Sequence, residues 1–326
     1  MRNAVIASTG SYLPETIIKN EDLDQFPPGA IKKIGEKTGV YARRNAAPDQ
    51  TTSDLAFEAA RACLEKSGRA IDTIDGIIVS TSTPDRIQPA TATRVQDMLG
   101  ARRAFAFDIN SVCAGSVYGI SIADSMIRSG RHGPILFVAA ETYSRILNRK
   151  DFSTYPYFGD GSGAILFEPA DSAERGVLHS ILHTDGAGCE IISVPAGGAM
   201  MPYDRMDNPK SAYFRMDGKT VFAFAIMRGT EVILELLKEA RLMPGDVDLY
   251  VSHQANVNII RKIAGMLEVP FEKFFLNLDR YGNTASASVP IALDEVLSQG
   301  LAKEGDLVVT VAFGGGLSWG ANLIRI

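Results

Sequence analysis

The second half of this chain repeats the pattern of the first half, and this repeat restricts the possible folds more than any other feature. In each half two apolar strand patterns are followed by a small-residue turn, a helical pattern and a third strand pattern. The paired strand patterns are residues 74–80 and 247–252, 105–110 and 274–279, and 134–140 and 306–313. Because strands alternate with amphipathic helices, the sequence predicts a layered α/β structure of two similar halves with largely parallel sheets.

We place the two halves at residues 1–170 and 171–326. The helical patterns cover residues 53–67, 90–99, 117–129, 221–240, 257–267 and 286–298. One long stretch, residues 185–218, breaks the repeat and is rich in Gly, Pro and Met. Connections of this length are uncommon unless they have a function, so we expect a lid over an apolar pocket, the alternative being a surface excursion. Methionines suit a pocket wall, and Met200, Met201 and Met206 are the candidates.

Cys113 stands where a predicted strand meets a predicted helix. The positive end of a helix favours the thiolate form of a cysteine, so this position predicts a nucleophile. The alternative is a small buried apolar residue, which is the common role of a free cysteine. Cys113 precedes Gly130 by 17 residues, and Asn283 precedes Gly300 by the same 17. The repeat therefore predicts that Cys113 and Asn283 occupy equivalent helix starts.

Ligands of open α/β sheets bind at the carboxyl ends of the strands. Cys113, His253, Asn283 and the turn at residues 314–316 all follow strand patterns, so we expect them to meet. His253 is the candidate proton-handling or hydrogen-bonding partner, although a lone histidine is more often structural. Asn283 supplies an uncharged donor, or alternatively caps a helix. Backbone N–H groups of the glycine turn and of Cys113 can stabilise an oxyanion.

Composition argues against several other classes of protein. The net charge is −5 without a long basic run, which argues against nucleic-acid binding. We expect neither a signal peptide nor a membrane span, because the apolar runs are too short. The three cysteines are odd in number and far apart, so we expect free thiols in a reducing cytoplasm. The sequence has no CxxC, HExxH or GxGxxG motif, and we predict no metal or dinucleotide site. Residues 159–163 are expected to form a tight turn under the site.

Five short motifs distributed along the chain carry a family resemblance. They are Cys-Ala-Gly at residues 113–115, Phe-Gly-Asp-Gly-Ser-Gly-Ala at 158–164, His-Gln-Ala-Asn at 253–256, Tyr-Gly-Asn-Thr at 281–284 and Phe-Gly-Gly-Gly-Leu-Ser-Trp-Gly at 313–320. With them the chain resembles the β-ketoacyl-acyl-carrier-protein synthase III family of condensing enzymes. The resemblance implies the thiolase fold, in which two similar halves build α-β-α-β-α layers.

The resemblance also implies an acyltransferase reaction with two half-reactions. Cys113 would accept an acyl group from acyl-CoA, and His253 and Asn283 would assist decarboxylation of a malonyl thioester on acyl carrier protein. The resulting enolate would attack the acyl group to give a 3-oxoacyl thioester, while the N–H groups of Cys113 and Gly315 form the oxyanion hole. No metal or redox cofactor is implied. The family relationship further implies a homodimer.

The chain departs from the family pattern at positions that are linked to substrate binding. Lys33 stands where members carry a tryptophan that stacks on the CoA adenine, and Phe152 stands where they carry an arginine. Asn258 replaces a basic residue linked to carrier-protein docking, and Arg261 and Lys262 are possible substitutes. These changes put CoA affinity and carrier docking in question.

Further candidate substrate-binding residues are Phe313, in the last motif, and Arg86 and Gln88 in a loop that matches a segment reaching into the partner subunit's acyl pocket. Many members have an aromatic residue at position 88. Because Gln88 is polar, we hypothesise that the enzyme accepts a longer or polar acyl primer. The alternative is that the residue at this position varies without functional effect, as loop residues often do. Two alternatives to the leading function follow, namely a specialised synthase or acyltransferase of secondary-metabolite or cofactor-precursor biosynthesis, and a catalytically silent partner subunit.

Overall fold

The computed structural model describes residues 2–172 and 174–326. The elements of the first half are β1 (Asn3–Tyr12), β2 (Thr16–Lys19), α1 (Pro28–Thr38), β3 (Ala42–Asn45), α2 (Thr52–Ser67), β4 (Gly76–Ser80), α3 (Thr91–Met98), β5 (Phe105–Ile109), α4 (Gly115–Arg128), β6 (Ile135–Glu141) and β7 (Gly161–Ala170). Those of the second half are β8 (Gly176–Thr184), β9 (Ile192–Ser193), β10 (Arg215–Met216), α5 (Gly218–Ala240), β11 (Leu249–Ser252), α6 (Val257–Met266), α7 (Leu278–Tyr281), α8 (Ser288–Ser298), β12 (Leu307–Gly314) and β13 (Ser318–Arg325).

Two large sheets carry the repeat that the sequence predicts. Their strand orders are β1-β7-β6-β4-β5 and β8-β13-β12-β11. Strands β8, β13, β12 and β11 of the second sheet correspond in order to β1, β7, β6 and β4 of the first, and only the counterpart of β5 is missing. The helices form three layers, because α2 and α3 pack on the first sheet, α5 packs on the second sheet and against α6, and α4 and α8 contact strands of both sheets. The prediction of two similar halves in α-β-α-β-α layers is therefore confirmed.

The prediction of largely parallel sheets is wrong, because both sheets are mixed. Strand β4 runs parallel to β5 and β6, but β7 is antiparallel to both β6 and β1. In the second sheet only β11 and β12 are parallel. A parallel neighbour requires a long crossover connection, and the short turn between β12 and β13 allows only an antiparallel pair.

The strand predicted at residues 274–279 does not form. Only Phe274 bridges to Tyr250, with the two rings stacked at 4.6 Å between centroids, and the next residues turn into α7. The backbone N–H of Asn277 bonds the side chain of Gln254 at 3.1 Å instead of a neighbouring strand. The apolar pattern of this segment therefore reflects packing of its side chains and not a ladder.

All six predicted helices form, with ends shifted by up to three residues. Helix α1 is an addition that the sequence analysis did not contain. Its signals are present, since Pro28 occupies the first turn and Gly39 ends the helix at φ +79°. Within the two described ranges, no helix combines the length and the apolar content that crossing a bilayer requires.

Candidate active site

A cavity of about 310 Å³ opens beside the carboxyl ends of the central strands. Cys113, His253 and Asn283 all line it, and so does Phe313. The three polar residues come from three separate parts of the sequence: the start of α4, the end of β11 and the segment before α8. The structure thus brings together the side chains that the sequence predicted to meet.

A sharp backbone turn, which we call the first elbow (residues 112–115), presents Cys113. Val112 has φ +48°, in the left-handed region that β-branched residues seldom adopt. Cys113 lies in the single 3-10 turn Val112–Ala114 that runs directly into α4. A side chain at Gly115 would collide with the hydroxyl of Ser80, so the elbow packs tightly on the end of β4. This close packing holds the sulfur at one place in the cavity.

A second elbow (residues 285–288) precedes α8 and corrects the predicted equivalence of Cys113 and Asn283. Ala285 has φ +47°, as Val112 does in the first elbow, and α8 begins three residues later at Ser288. Measured from these helix starts, the counterpart of Cys113 is Ser286, and Asn283 lies three residues earlier. Counting from the helix ends misled the prediction, because α4 has 14 residues and α8 has 11.

The environment of the Cys113 thiol opposes ionisation. Burial raises the pKa of this thiol well above its usual range, and the nearby Glu141 carboxylate raises it further. The expectation that the helix start lowers the pKa of Cys113 is therefore wrong. Burial of the thiol raises its pKa by more than the start of a helix can lower it.

His253 is held at the tip of β11 and is only 2% exposed. Its backbone N–H donates to the carbonyl of Val311 at 2.7 Å, and its Nδ1 lies 2.7 Å from Ser288 Oγ. Burial lowers the pKa of His253 to about 3, so the ring is neutral near pH 7. The Ser288 hydroxyl accepts the N–H of Gln254 at 3.4 Å and can donate its own proton to Nδ1, which leaves the ring proton on Nε2.

Asn283 is fixed through both its backbone and its side chain. Its N–H donates to the carbonyl of Tyr157 at 2.8 Å, and its carbonyl accepts the N–H of Gly159 at 3.0 Å. Its Oδ1 accepts the N–H of Ala285 at 2.8 Å. Because the oxygen is used in this way, the NH₂ group is the part of the amide that remains to donate to a ligand. Both interpretations of Asn283, as a turn cap and as a donor, therefore fit the structure.

The glycine turn lies against the first elbow. A side chain at Gly314 would come within 2.7 Å of the backbone nitrogen of Cys113, so only glycine permits this approach. Leu317, at the end of the turn, exchanges two backbone hydrogen bonds with Asp185, at 2.8 and 2.9 Å. The turn that contains Gly315 is thus tied both to the nucleophile candidate and to the first residue of the long insertion.

The insertion at residues 185–218 does line the cavity, as predicted, but through different residues. Ile192, Phe214 and Met216 form part of the wall, on or beside the small sheet of β9 and β10. Met200, Met201 and Met206 do not line it, and Met200 is 95% exposed. The expectation for these three methionines is wrong, because their segment lies on the outer surface of the insertion.

Lys33 and Phe152 lie together in a second cavity of about 230 Å³. Lys37 and Tyr157 line both cavities, so the second cavity adjoins the first. Phe152 packs edge-on against Phe26, with ring centroids 5.1 Å apart. Lys33 and Phe152, two positions at which the chain departs from the family pattern, therefore line one small cavity beside the main cavity.

Three other predicted substrate-binding residues line neither cavity. The amide of Asn258 donates to the carbonyl of Lys37 at 2.7 Å and connects α6 to the end of α1. Arg86 and Gln88 are exposed at the tip of the 81–89 loop, on either side of Ile87, which is 83% exposed. Within one chain, the structure does not bring Arg86 or Gln88 to Cys113.

Two residues of the site region escaped the sequence analysis. Ser288 bonds His253, and Glu141 lies near Cys113 with a carboxyl pKa that burial raises to about 7. The repeat carries no signal for Ser288, because its counterpart at the start of α4 is Gly115. In the described part of the chain, no three His, Cys, Asp or Glu side chains are grouped as metal ligands would be.

Comparison with known proteins gives matches in both halves of the chain. The family model 3-Oxoacyl-[acyl-carrier-protein (ACP)] synthase III matches residues 107–186, and the model of the C terminal part of the same enzyme matches residues 237–326. The β-ketoacyl-[acyl-carrier-protein] synthase III of Caldanaerobacter subterraneus subsp. tengcongensis is 43% identical over 323 residues, covering 99% of this chain and 97% of the relative.

Solved structures agree with the sequence matches. The crystal structure of 3-oxoacyl-[acyl-carrier-protein] synthase III from Aquifex aeolicus superposes with a TM-score of 0.90 at 36% identity, covering 99% of this chain and 100% of the other. The corresponding enzyme from Pseudomonas aeruginosa superposes with a TM-score of 0.92 at 36% identity, covering 99% and 98%. The match therefore extends over the whole chain and includes both elbows.

Proposed function

Because the chain belongs to the β-ketoacyl-acyl-carrier-protein synthase III family, we propose that Cys113, His253 and Asn283 carry out the reaction of this family in the cavity described above. The chain has the thiolase fold of these enzymes. The reaction is the decarboxylative condensation of an acyl primer with malonyl-acyl carrier protein, an acyl transfer of fatty acid biosynthesis. The observation that supports the assignment of residues is that all three side chains line one buried cavity.

In the first half-reaction, Cys113 Sγ attacks the thioester carbonyl of acyl-CoA. The S–C bond to the enzyme forms, the bond to CoA breaks, and the thiol proton is finally carried by the released CoA sulfur. The N–H groups of Cys113 and Gly315 stabilise the negative oxygen of the tetrahedral intermediate. The raised pKa of the thiol keeps Cys113 protonated until a thioester arrives.

In the second half-reaction, a malonyl thioester occupies the same cavity. His253 Nε2–H and the NH₂ group of Asn283 donate hydrogen bonds to its thioester oxygen, where negative charge develops as CO₂ leaves. The enolate carbon then attacks the acyl carbon on Cys113, and the thiol is restored by a proton from solvent. A neutral histidine suits this role, since the low pKa of His253 keeps its ring a hydrogen-bond donor without a charge. No step requires a redox partner, and we propose no metal or cofactor.

The primer donor we propose is acyl-CoA. The cavity beside Lys33 and Phe152 adjoins the main cavity, as a site for the far end of CoA must. Phe152 offers a ring for the adenine, and Lys33 and Lys37 offer charge for phosphates. For the acyl carrier protein, we propose that Arg261 and Lys262 on the exposed side of α6 provide the docking charge.

We further propose a homodimer in the cytoplasm. The 81–89 loop presents Ile87 to solvent, while its base is fixed because Thr83 Oγ1 donates to Glu141 and Asp85 accepts the N–H of Ser53. An apolar side chain on a rigid exposed loop suits insertion into a second copy of the chain.

The unpaired cysteines, of which Cys189 is exposed, suit a reducing compartment. The specialised-synthase alternative is not favoured, because the relatives carry the name of the fatty-acid enzyme.

The test is an assay of 3-oxoacyl-carrier protein formation from acetyl-CoA and malonyl-carrier protein with single-site variants. We expect C113A to form no product, and H253A and N283A to lose at least about 100-fold in condensation while Cys113 still accepts the acetyl group. C189A and H179A, which change residues outside the cavity, serve as controls and keep the activity. Product formation by C113A would reject the proposed mechanism.

A further inference from the structure

The last residue of β6, Glu141, is a buried carboxylate that the proposed reaction does not use. It is fully buried, and no Lys, Arg or His side chain of the described ranges forms an ion pair with it. Its two oxygens instead accept hydrogen bonds from neutral groups. The donors are Ser82 N–H at 3.1 Å, Ser82 Oγ at 3.0 Å, Thr83 Oγ1 at 2.8 Å and Ser286 Oγ at 2.7 Å, with Thr81 Oγ1 at a longer 3.5 Å. Burying a carboxyl is costly, and these five donors offset that cost.

These donors belong to two segments that are far apart in sequence and functionally distinct. Ser82 and Thr83 form the base of the 81–89 loop. Ser286 is in the second elbow, at the position that corresponds to Cys113 in the first elbow. Glu141 is therefore the group through which the base of the loop and the second elbow are hydrogen-bonded to the end of β6.

The second elbow in turn positions Asn283. The Oδ1 of Asn283 accepts the N–H of Ala285, the residue next to Ser286. Ala285 is held in the left-handed region at φ +47°, a conformation that persists only where the surroundings enforce it. The bond from Ser286 to Glu141 is one such constraint, and its loss would allow the elbow and Asn283 to move together.

We propose that Glu141 is a positioning residue for the condensation step, which holds the second elbow so that the amide of Asn283 faces the malonyl thioester. The inference rests on the proposed function of Asn283. It predicts a loss that falls mainly on the second half-reaction, because Gly314 packs on the backbone of Cys113 in a contact that involves neither Glu141 nor Ser286.

A glutamine at position 141 tests this directly. E141Q keeps the shape of the side chain, but it replaces one acceptor oxygen by a donor NH₂ group, so it cannot accept all the present bonds. Acetyl transfer to Cys113 is measured by intact-protein mass spectrometry, and condensation is measured with malonyl-carrier protein on the preformed acyl-enzyme. We expect E141Q to condense about tenfold more slowly, with acetyl transfer to Cys113 no slower than in wild type. E141D keeps the carboxylate and is expected to recover part of the rate.

The charge of Glu141 provides a second readout. Because this carboxylate raises the pKa of the Cys113 thiol, E141Q is expected to be alkylated faster by iodoacetamide at a given pH. Apart from Glu141, the titratable groups near this thiol are Tyr143, whose own pKa is raised by burial, and His253, which lines the same cavity.

Two further variants provide a stability control and an alternative test of the role of Glu141. D124N removes another buried carboxylate, which accepts Ala4 N–H at 3.2 Å far from the cavity, and should lower stability without changing the ratio of the half-reactions. If E141Q does not fold, S286A removes the bond from the second elbow to Glu141, together with a longer bond to the Ser80 carbonyl, and should slow condensation about threefold. An unchanged ratio of condensation to acetyl transfer in E141Q, or in S286A when it is the variant measured, overturns the proposal. Wild-type protein that forms no acyl-Cys113 refutes the proposed function instead.

Discussion

At the scale of single residues, hydrogen bonds hold the side-chain donors of the site in place. The site does not use a charged side chain to activate a general base. His253 is neutral, the NH₂ group of Asn283 is left to donate, and the Cys113 thiol is protonated. Such a site suits a reaction in which negative charge appears on a substrate oxygen and then disappears. A charged imidazolium would be costly at this depth, because burial lowers the pKa of His253 to about 3.

The contact between Ser288 and His253 leads to a prediction about the histidine tautomer. S288A removes the hydroxyl 2.7 Å from Nδ1, so the ring can protonate at either nitrogen and less often presents Nε2–H to the substrate. We expect condensation to slow about fivefold while acetyl transfer to Cys113 is unchanged. The two rates are measured separately on wild type, S288A and S298A, an exposed serine at the other end of α8. An equal loss in both half-reactions would contradict this role of Ser288.

The sequence predicted those functional residues whose side chains are themselves reactive or polar. Cys113, His253 and Asn283 are reactive or polar types after predicted strands, and the structure places them in one cavity. Glu141 and Ser288 were not predictable, because a glutamate at the end of a strand and a serine at a helix start are ordinary until their neighbours in space are known. The direction of the Cys113 pKa was missed for the same reason, since burial is a property of the fold.

At the scale of elements, the two elbows are the feature that the repeat encodes. Each elbow has a residue at positive φ, and each is followed by a helix that lies between the sheets. The duplicated pattern predicted these helices but misaligned their starts, because the helices differ in length by three residues. The missing strand at residues 274–279 is a similar case, since an apolar segment at the edge of a sheet need not complete a ladder.

We predict that the tip of the 81–89 loop lies in the interface of a dimer. I87D places a charge on the exposed apolar tip, where burial in a subunit interface would be costly, while the fixed base of the loop stays intact. We expect the protein to shift from dimer toward monomer in sedimentation velocity at the same concentration. I17D changes an exposed isoleucine at a distant site in β2 and serves as the control. A dimer that persists in I87D would place the interface elsewhere.

At the scale of the whole molecule, duplication creates one site from two halves. The first half contributes the nucleophile candidate and the second half contributes the two donor candidates, and α4 and α8 both contact strands of the two sheets. The layered architecture was predictable, because it follows from the order and period of the elements. The direction of the strands was not, since alternation of strands and helices does not show which connections cross over and which turn back.

The central claim is that Cys113 carries the acyl group between two half-reactions in one cavity. Intact-protein mass spectrometry tests it most directly when the protein is incubated with acetyl-CoA, freed of excess reagent and then treated with malonyl-carrier protein. We expect an acetyl adduct on Cys113 that disappears on the second addition, with release of 3-oxobutyryl-carrier protein. An adduct that persists after malonyl-carrier protein is added, or an adduct located on Cys63 or Cys189, would contradict it.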